Sequence, residues 1–172
     1  MPKIIENLRE QIIEEAKNEL FENGYGKTTI RSVAGALGIG TGTIYNYFKS
    51  KEQIFFAFMI EDWKESTARM AEIDTSDSRT FLFGIYEILR EFIDKYSLIF
   101  NDLDAEKEFA PILVGRHKQL RSILGKIILP VCQKEKNVDV QLLSEHIAES
   151  LLNWTLEGVD FERQYEILRR IL

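Results

Sequence analysis

Residues 28–51 read TTIRSVAGALGIGTGTIYNYFKSK. The stretch predicts two short helices joined by a tight glycine turn, then the start of a third. A first helix begins at Thr29, whose side chain can accept a hydrogen bond from a free N–H of the first turn. Three residues on stands Ser32 rather than Glu or Gln, so the capping box reads as incomplete. Ile30, Val33, Ala34 and Leu37 recur at helical spacing and face a core. Gly38 marks a left-handed helix end, and Ile39 plugs the turn. Gly40 leads into a second helix over Thr41–Phe48, about 12 Å long. Ile44 and Phe48, four apart, point inward. Thr41, Gly42, Thr43, Tyr45, Asn46 and Tyr47 are left on outer or end positions.

Charge gives this pattern a direction. The chain has 172 residues and a net charge of −6, yet residues 24–51 contain no Asp or Glu and carry Lys27, Arg31, Lys49 and Lys51. A basic helix-turn-helix in an acidic chain points to DNA. Threonine and tyrosine hydroxyls reach phosphates, and asparagine pairs naturally with the edge of adenine, which suits Asn46. Gly42 lets backbone approach backbone. Lys51 stands near a helix N-terminus, where lysine charge and helix dipole both attract phosphate. A buried helical hairpin would explain the small residues Gly35, Ala36 and Gly38, but not the missing acids or the Tyr-Asn-Tyr run.

The segment GTGTIYNYFKSKEQIF closely resembles the end of the DNA-binding domain of TetR/AcrR-type transcriptional regulators. The resemblance runs through Thr28-Thr29, Ala34, Gly38-Ile39, Gly42 to Phe48 and Lys49-Ser50-Lys51-Glu52, and is specific over about residues 5–60. It implies that Thr28, Thr29 and Arg31 contact DNA from the first short helix. It likewise implies Thr41, Gly42, Thr43, Tyr45, Asn46 and Tyr47 as recognition-helix contacts and Lys51 as a phosphate anchor. Many members carry lysine where this chain has Thr41, so one phosphate contact is expected to be lost and the salt dependence to be shallower.

Composition bounds the rest. Three prolines and ten glycines leave room for long helices, and no strand-like alternation persists. The expected fold is all-α: an N-terminal three-helix helix-turn-helix domain over 1–50 and a helical effector-binding and dimerisation domain over 51–172. Residues 1–51 hold seven basic and six acidic residues, the remainder 15 basic and 22 acidic. An acidic body behind a basic face helps orient a protein on DNA. The one cysteine, Cys132, excludes an intramolecular disulfide and reads as a packing residue. The longest apolar run, Ile54 to Ile60, is too short to span a bilayer. The acidic N-terminus is not a signal peptide. A soluble, cytoplasmic protein is expected.

Helix 1 is predicted from about Pro2 to Asn23, on the stripe Ile5, Leu8, Ile12, Ile13, Ala16 and Leu20. Phe21, Tyr25 and Phe48 share its small core. A long helix follows Lys51 to Met70 or Ile73, and Asp74–Ser78 is a loop. Further helices are predicted over Arg79–Asn101, over Ala105–Lys136 in two pieces broken near Pro111 or Gly115, over Val138–Gly158 and over Asp160–Leu172. Pro130 marks a kink or a helix end.

The resemblance implies a small apolar or amphipathic effector held among the body helices. Its candidate lining is Phe58, Trp63, Phe83, Tyr86, Phe92, Tyr96 and Phe109. It also implies a homodimer formed by the last two helices, which are too apolar to be solvated. Candidate interface residues are Leu143, Ile147, Leu151, Trp154, Phe161, Tyr165 and Leu168. Two recognition helices would then stand 34–36 Å apart, one DNA turn.

Enzymatic signals are lacking. Gly26-Lys27-Thr28 imitates the end of a phosphate-binding loop, but position 21 is Phe rather than Gly and no strand precedes it. His117 and His146 lie far apart, and Glu145, His146 and Glu149 suit a solvated helix face. His117 between Arg116 and Lys118 reads as a solvated basic turn. No enzyme, metal or cofactor is expected. The functional expectation is a dimeric repressor released from a palindromic operator by its effector. The alternative is a helical dimeric protein-interaction adaptor with a vestigial head.

Overall fold

The computed structural model describes residues 6–100, 102–133 and 138–172, with side chains left aside at 100, 103, 104, 106 and 108–117. Every regular element among them is a helix. In chain order these are α1 (Leu8–Asn23), α2 (Ile30–Ala36), α3 (Thr41–Tyr45), α4 (Lys51–Ala71), α5 (Ser78–Lys95), α6 (Ser97–Phe100), α7 (Leu103–Cys132), α8 (Val140–Leu156) and α9 (Phe161–Leu168). None is long and apolar enough to cross a membrane. The chain divides into two compact units, one of Met1–Asp62 with Tyr96–Pro111 and one of Trp63–Lys95 with Ile112–Leu172. The first compact unit thus extends past residue 50 and takes in a later segment.

Local signals set most helix ends. α1 starts at Leu8 rather than near Pro2, because Asn7 is left-handed at φ 54°; Pro2 and Ile5 lie outside the described residues. Gly24 stops it by turning to φ 82°, its N–H making the last helical bond, to the Leu20 carbonyl. Asp139 and Asp160 cap α8 and α9 through their carboxylates. These caps set where both helices start; at their other ends α8 stops at Leu156 and α9 at Leu168, short of Gly158 and Leu172. α8 closes on Gly158, φ 77°, with the Val159 N–H bonded to the Trp154 carbonyl at 2.8 Å. That six-to-one bond is a Schellman end.

Two predictions fail where tertiary context overrides local pattern. The single helix expected to Asn101 ends at Lys95 and a separate α6 follows. Tyr96 and Ile99, fully buried, belong to the first unit, whereas α5 belongs to the second. α7 runs unbroken through Pro111, Gly115 and Pro130. A proline removes one hydrogen bond of the ladder, and a 30-residue helix keeps enough others to continue.

The core of the first unit is built from Ile12, Ala16 and Leu20 of α1, Val33 and Ala34 of α2, Ile44 of α3, and Phe48. An aromatic column completes it: Tyr25 on Phe55, Phe55 on Phe58, Phe58 on Tyr96, with ring centroids 5.5, 5.6 and 5.9 Å apart. Phe21, expected in this core, lies on the surface at 38% exposure. In the second unit α5 packs on α8 and α9, and α8 on α9. Phe81, Leu82, Ile85, Leu124, Ile128, Ile147, Leu151, Phe161 and Leu168 form its buried centre.

Close approach in the second unit is testable at Gly125. A Cβ there would lie 3.3 Å from Glu145 Cα and 3.4 Å from its N. Gly125→Ala should lose about 1 kcal/mol, overpacking outweighing alanine's helix preference. Gly35, whose Cβ would meet nothing, should gain roughly 0.5–1 kcal/mol as alanine. Thermal melts should therefore rank Gly35→Ala above the parent and Gly125→Ala below it.

Candidate nucleic-acid interface

The turn between α2 and α3 follows the rule that sequence suggested. Gly38 is left-handed at φ 64°. The Ile39 N–H reaches the Ala34 carbonyl at 3.0 Å and the Gly38 N–H reaches Gly35 at 3.1 Å, a complete Schellman motif. α3 is a helix of five residues, three fewer than expected. Helical bonding nonetheless carries on past it. The Tyr47 and Phe48 N–H groups both donate to the Ile44 carbonyl at 2.9 Å. Ile44 and Phe48 are buried as expected, and Thr41, Gly42, Tyr45, Asn46 and Tyr47 are exposed. Tyr45 and Tyr47, at 46% and 48% exposure, are unusually open for tyrosines with no structural task. Thr43 is half-buried.

The start of α2 departs from expectation in a useful way. Ser32 substitutes for Glu and the capping box is complete. The Ser32 N–H donates to Thr29 Oγ1 at 3.0 Å, and the Thr29 N–H donates to Ser32 Oγ at 2.9 Å. Ser32 Oγ also pairs with the Glu19 carboxylate of α1, tying α1 to α2. A hydroxyl both donates and accepts, so the Ser32 side chain accepts from the Thr29 N–H and still bonds Glu19, while its own backbone N–H supplies the third link. Thr29 is exposed but its side chain is committed to the cap. Thr28 is buried, and its hydroxyl donates to the Gly24 carbonyl at 3.0 Å. It cannot touch DNA as expected; it braces the chain between α1 and α2. Arg31, like Lys27 and Lys49, is exposed.

Lys51 opens α4, half-buried. Its ammonium lies 3.7 Å from the centre of the Tyr25 ring and 3.3 Å from the Tyr25 carbonyl. The Tyr25 hydroxyl donates to Glu52 at 3.0 Å. The Lys49 ammonium meets the last carbonyl of α3, that of Tyr45, at 3.0 Å. The roles of Glu19, Ser32 and Tyr25 were not legible beforehand, because each depends on a partner 13 to 27 residues away. Only Ser32, three residues after a capping threonine, left a local signal.

The candidate pocket residues fall into separate groups. In the first unit Phe58 and Tyr96 stack, and the Tyr96 hydroxyl donates to Asp62, which also faces the Lys17 ammonium at 3.8 Å. Burial, then the Asp62 carboxylate, pushes the Tyr96 hydroxyl well above the ordinary tyrosine range. In the second unit Trp63 meets Phe92 edge-on at 5.2 Å, and Phe83 and Tyr86 pack on Phe161. Among the described residues the buried Trp63 indole N–H has no hydrogen-bond partner. The side chains of Phe109 and His117 lie outside the described residues; the backbone at His117 is helical, inside α7, rather than in the turn expected.

Among the candidate interface residues, Ile147, Leu151, Phe161 and Leu168 are buried within the second unit itself. Ile147 and Leu151 have no open area and Phe161 and Leu168 almost none, so these four are core residues of the unit, a correction to the sequence reading. Leu143, Trp154 and Tyr165 are half-buried against that core. The apolar side chains that α8 and α9 leave open are Leu142, Leu156 and Ile167. Among the described residues no three His, Cys, Asp or Glu side chains converge as metal ligands would.

Known proteins resemble this chain in sequence and in fold. The family model described as "Bacterial regulatory proteins, tetR family" matches residues 12–58. The fatty acid metabolism regulator protein of Bacillus subtilis (strain 168) is 39% identical over 167 residues, 88% of this chain and 86% of that protein. A transcriptional repressor of Mycobacterium tuberculosis is 31% identical over 112 residues, 63% of this chain but only 56% of that protein. Thermus thermophilus FadR, a TetR-family repressor solved in complex with lauroyl-CoA, superposes with a TM-score of 0.63 at 18% identity, over 95% of this chain and 92% of that one. At that identity the likeness concerns the fold.

Tyr96 gives the first unit a pH signature. Its folded ionisation lies above the value near 10 of the unfolded chain. The protonated form is therefore favoured by folding, and its contribution is complete below pH 10 and lost as pH rises beyond it. Chemical denaturation between pH 8 and 11 should show the parent losing stability more steeply than Tyr96→Phe. Parallel curves would remove Tyr96 as the cause.

Proposed function

The chain belongs to the TetR family of bacterial regulatory proteins, and from that premise we propose that it is a dimeric repressor that an acyl effector releases from a palindromic operator. One observation carries the DNA-binding part. The turn after α2 exposes Thr41, Gly42, Tyr45, Asn46 and Tyr47 together, in a window of 28 residues without one acid. Backbone and hydroxyl groups would meet phosphates there, while Asn46 reads a base edge. Thr41 stands where lysine would add a phosphate contact.

The dimer reading draws support from the open apolar side chains of α8 and α9, Leu142, Leu156 and Ile167. Large apolar groups open to water favour covering by a partner. A head of this size gains affinity from two half-sites one helical turn apart. The effector class is suggested by the relative named for fatty acid metabolism and by the lauroyl-CoA of the Thermus repressor. Trp63 is suited to a polar group on an otherwise apolar ligand, since among the described residues its buried N–H lacks a partner. Coupling would pass through α4, which carries residues of both units. Such coupling is reciprocal: DNA weakens effector binding by the factor with which effector weakens DNA binding.

Selection of random duplexes by the purified protein, at about physiological salt, should enrich a palindrome whose arms are about one helical turn apart. Lauroyl-CoA should then displace that duplex and change the fluorescence of the parent more than that of Trp63→Phe. A folded protein that enriches no sequence argues against the repressor reading. Tyr47→Ala and Lys51→Ala should each weaken the selected duplex by roughly tenfold or more. Asn46→Ala should instead relax preference at one base position.

A further inference from the structure

We propose that Tyr25 is a positioning residue for DNA binding. It holds the Lys51 ammonium ready for a backbone phosphate and keeps the neighbouring Glu52 carboxylate tethered. The proposal rests on the reading of Lys51 as a phosphate contact.

Tyr25 lies in the turn just after α1, and its side chain is buried. Phe55 braces its ring from α4. From that fixed position it makes three links to two successive residues. The ring face lies 3.7 Å beneath the Lys51 ammonium. The backbone carbonyl accepts from the same ammonium at 3.3 Å. The hydroxyl donates to Glu52 at 3.0 Å.

Each link bears on anion binding. Lysine is a flexible point charge that loses much rotamer freedom when a ligand fixes it. A cation held over a ring and against a carbonyl has lost that freedom in advance. An ammonium has three donors and the Tyr25 carbonyl takes one, so two stay available for phosphate oxygens. The same site carries a hazard. Glu52 stands in the first turn of α4, where a carboxylate competes with phosphate for the helix N-terminus. The Tyr25 hydroxyl draws charge on that carboxylate into a hydrogen bond at a fixed place. One side chain therefore orients the useful charge and restrains the harmful one.

The test uses the full chain and a mixed-sequence duplex at low salt, so it needs no knowledge of the operator. Thermal melts confirm that each variant is folded. Lys51→Ala should weaken binding by roughly tenfold, the scale of one charge-assisted hydrogen bond. Measured with Glu52→Gln in every member of the cycle, so that only the Lys51 links are tested, Tyr25→Leu should weaken it about threefold or more, but add nothing once Lys51 is already alanine. Tyr25→Phe keeps the ring and the core, so it folds even where leucine does not. It should cost a few-fold in affinity, restored by Glu52→Gln. Losses that multiply in the Tyr25–Lys51 cycle, or a phenylalanine loss that Glu52→Gln leaves in place, would overturn the proposal. Unchanged binding by Lys51→Ala would instead overturn the phosphate contact beneath it.

Discussion

A helix of five residues cannot hold itself together in water. Nucleation costs more than so few hydrogen bonds return, and isolated helices below about 12 residues are marginal. α3 exists because Ile44 is completely buried beneath it and Phe48 is buried just beyond it. The proposed reading surface depends on that pinning. Each residue that turns Ile44 inward turns Tyr45, Asn46 and Tyr47 outward, since the angular step along a helix leaves no other choice. α2, with seven residues, is held in the same manner by Val33 and Ala34.

Around this pinned pair the structure spends its polar groups on joints. Thr28 braces the segment entering α2, Ser32 joins α2 to α1 through Glu19, and Tyr25 joins the turn after α1 to the start of α4. None of these residues sits at the centre of a helix stripe. They fix the angles between short elements that have little buried area of their own. The second unit is built differently. Apart from the eight-residue α9 its helices are long, its centre is a continuous apolar cluster, and its polar contacts lie mostly at the surface, as in Arg69 with Glu91 at 2.8 Å. Surface pairs of this kind contribute little, so apolar packing carries that unit.

The helix-turn-helix was legible because its signals are local. Glycine at a left-handed position, a threonine cap and apolar residues four apart act within a few bonds of one another. What was misread there is instructive. Thr28 shares its chemistry with Thr29 and differs only in which way it points. Burial makes one a brace and leaves the other at the surface. Similarly, Ile147 and Leu151 carry the apolar stripe of α8, and a stripe marks that something covers it without saying what. Here α5 and α9 cover it, so the residues available to a second copy lie on the flank, at Leu142 and Leu156.

The sequence by itself determined the helical class, the turn at Gly38, the inward pair Ile44 and Phe48, and the acid-free window, because short-range backbone and charge preferences suffice for each. Only the tertiary structure decided that the first unit ends at Asp62 and takes in Tyr96, that α7 runs through its prolines, and that Lys51 rests on Tyr25. Those outcomes depend on contacts between residues tens of positions apart. Their free energy comes from burial and pairing that no local window contains.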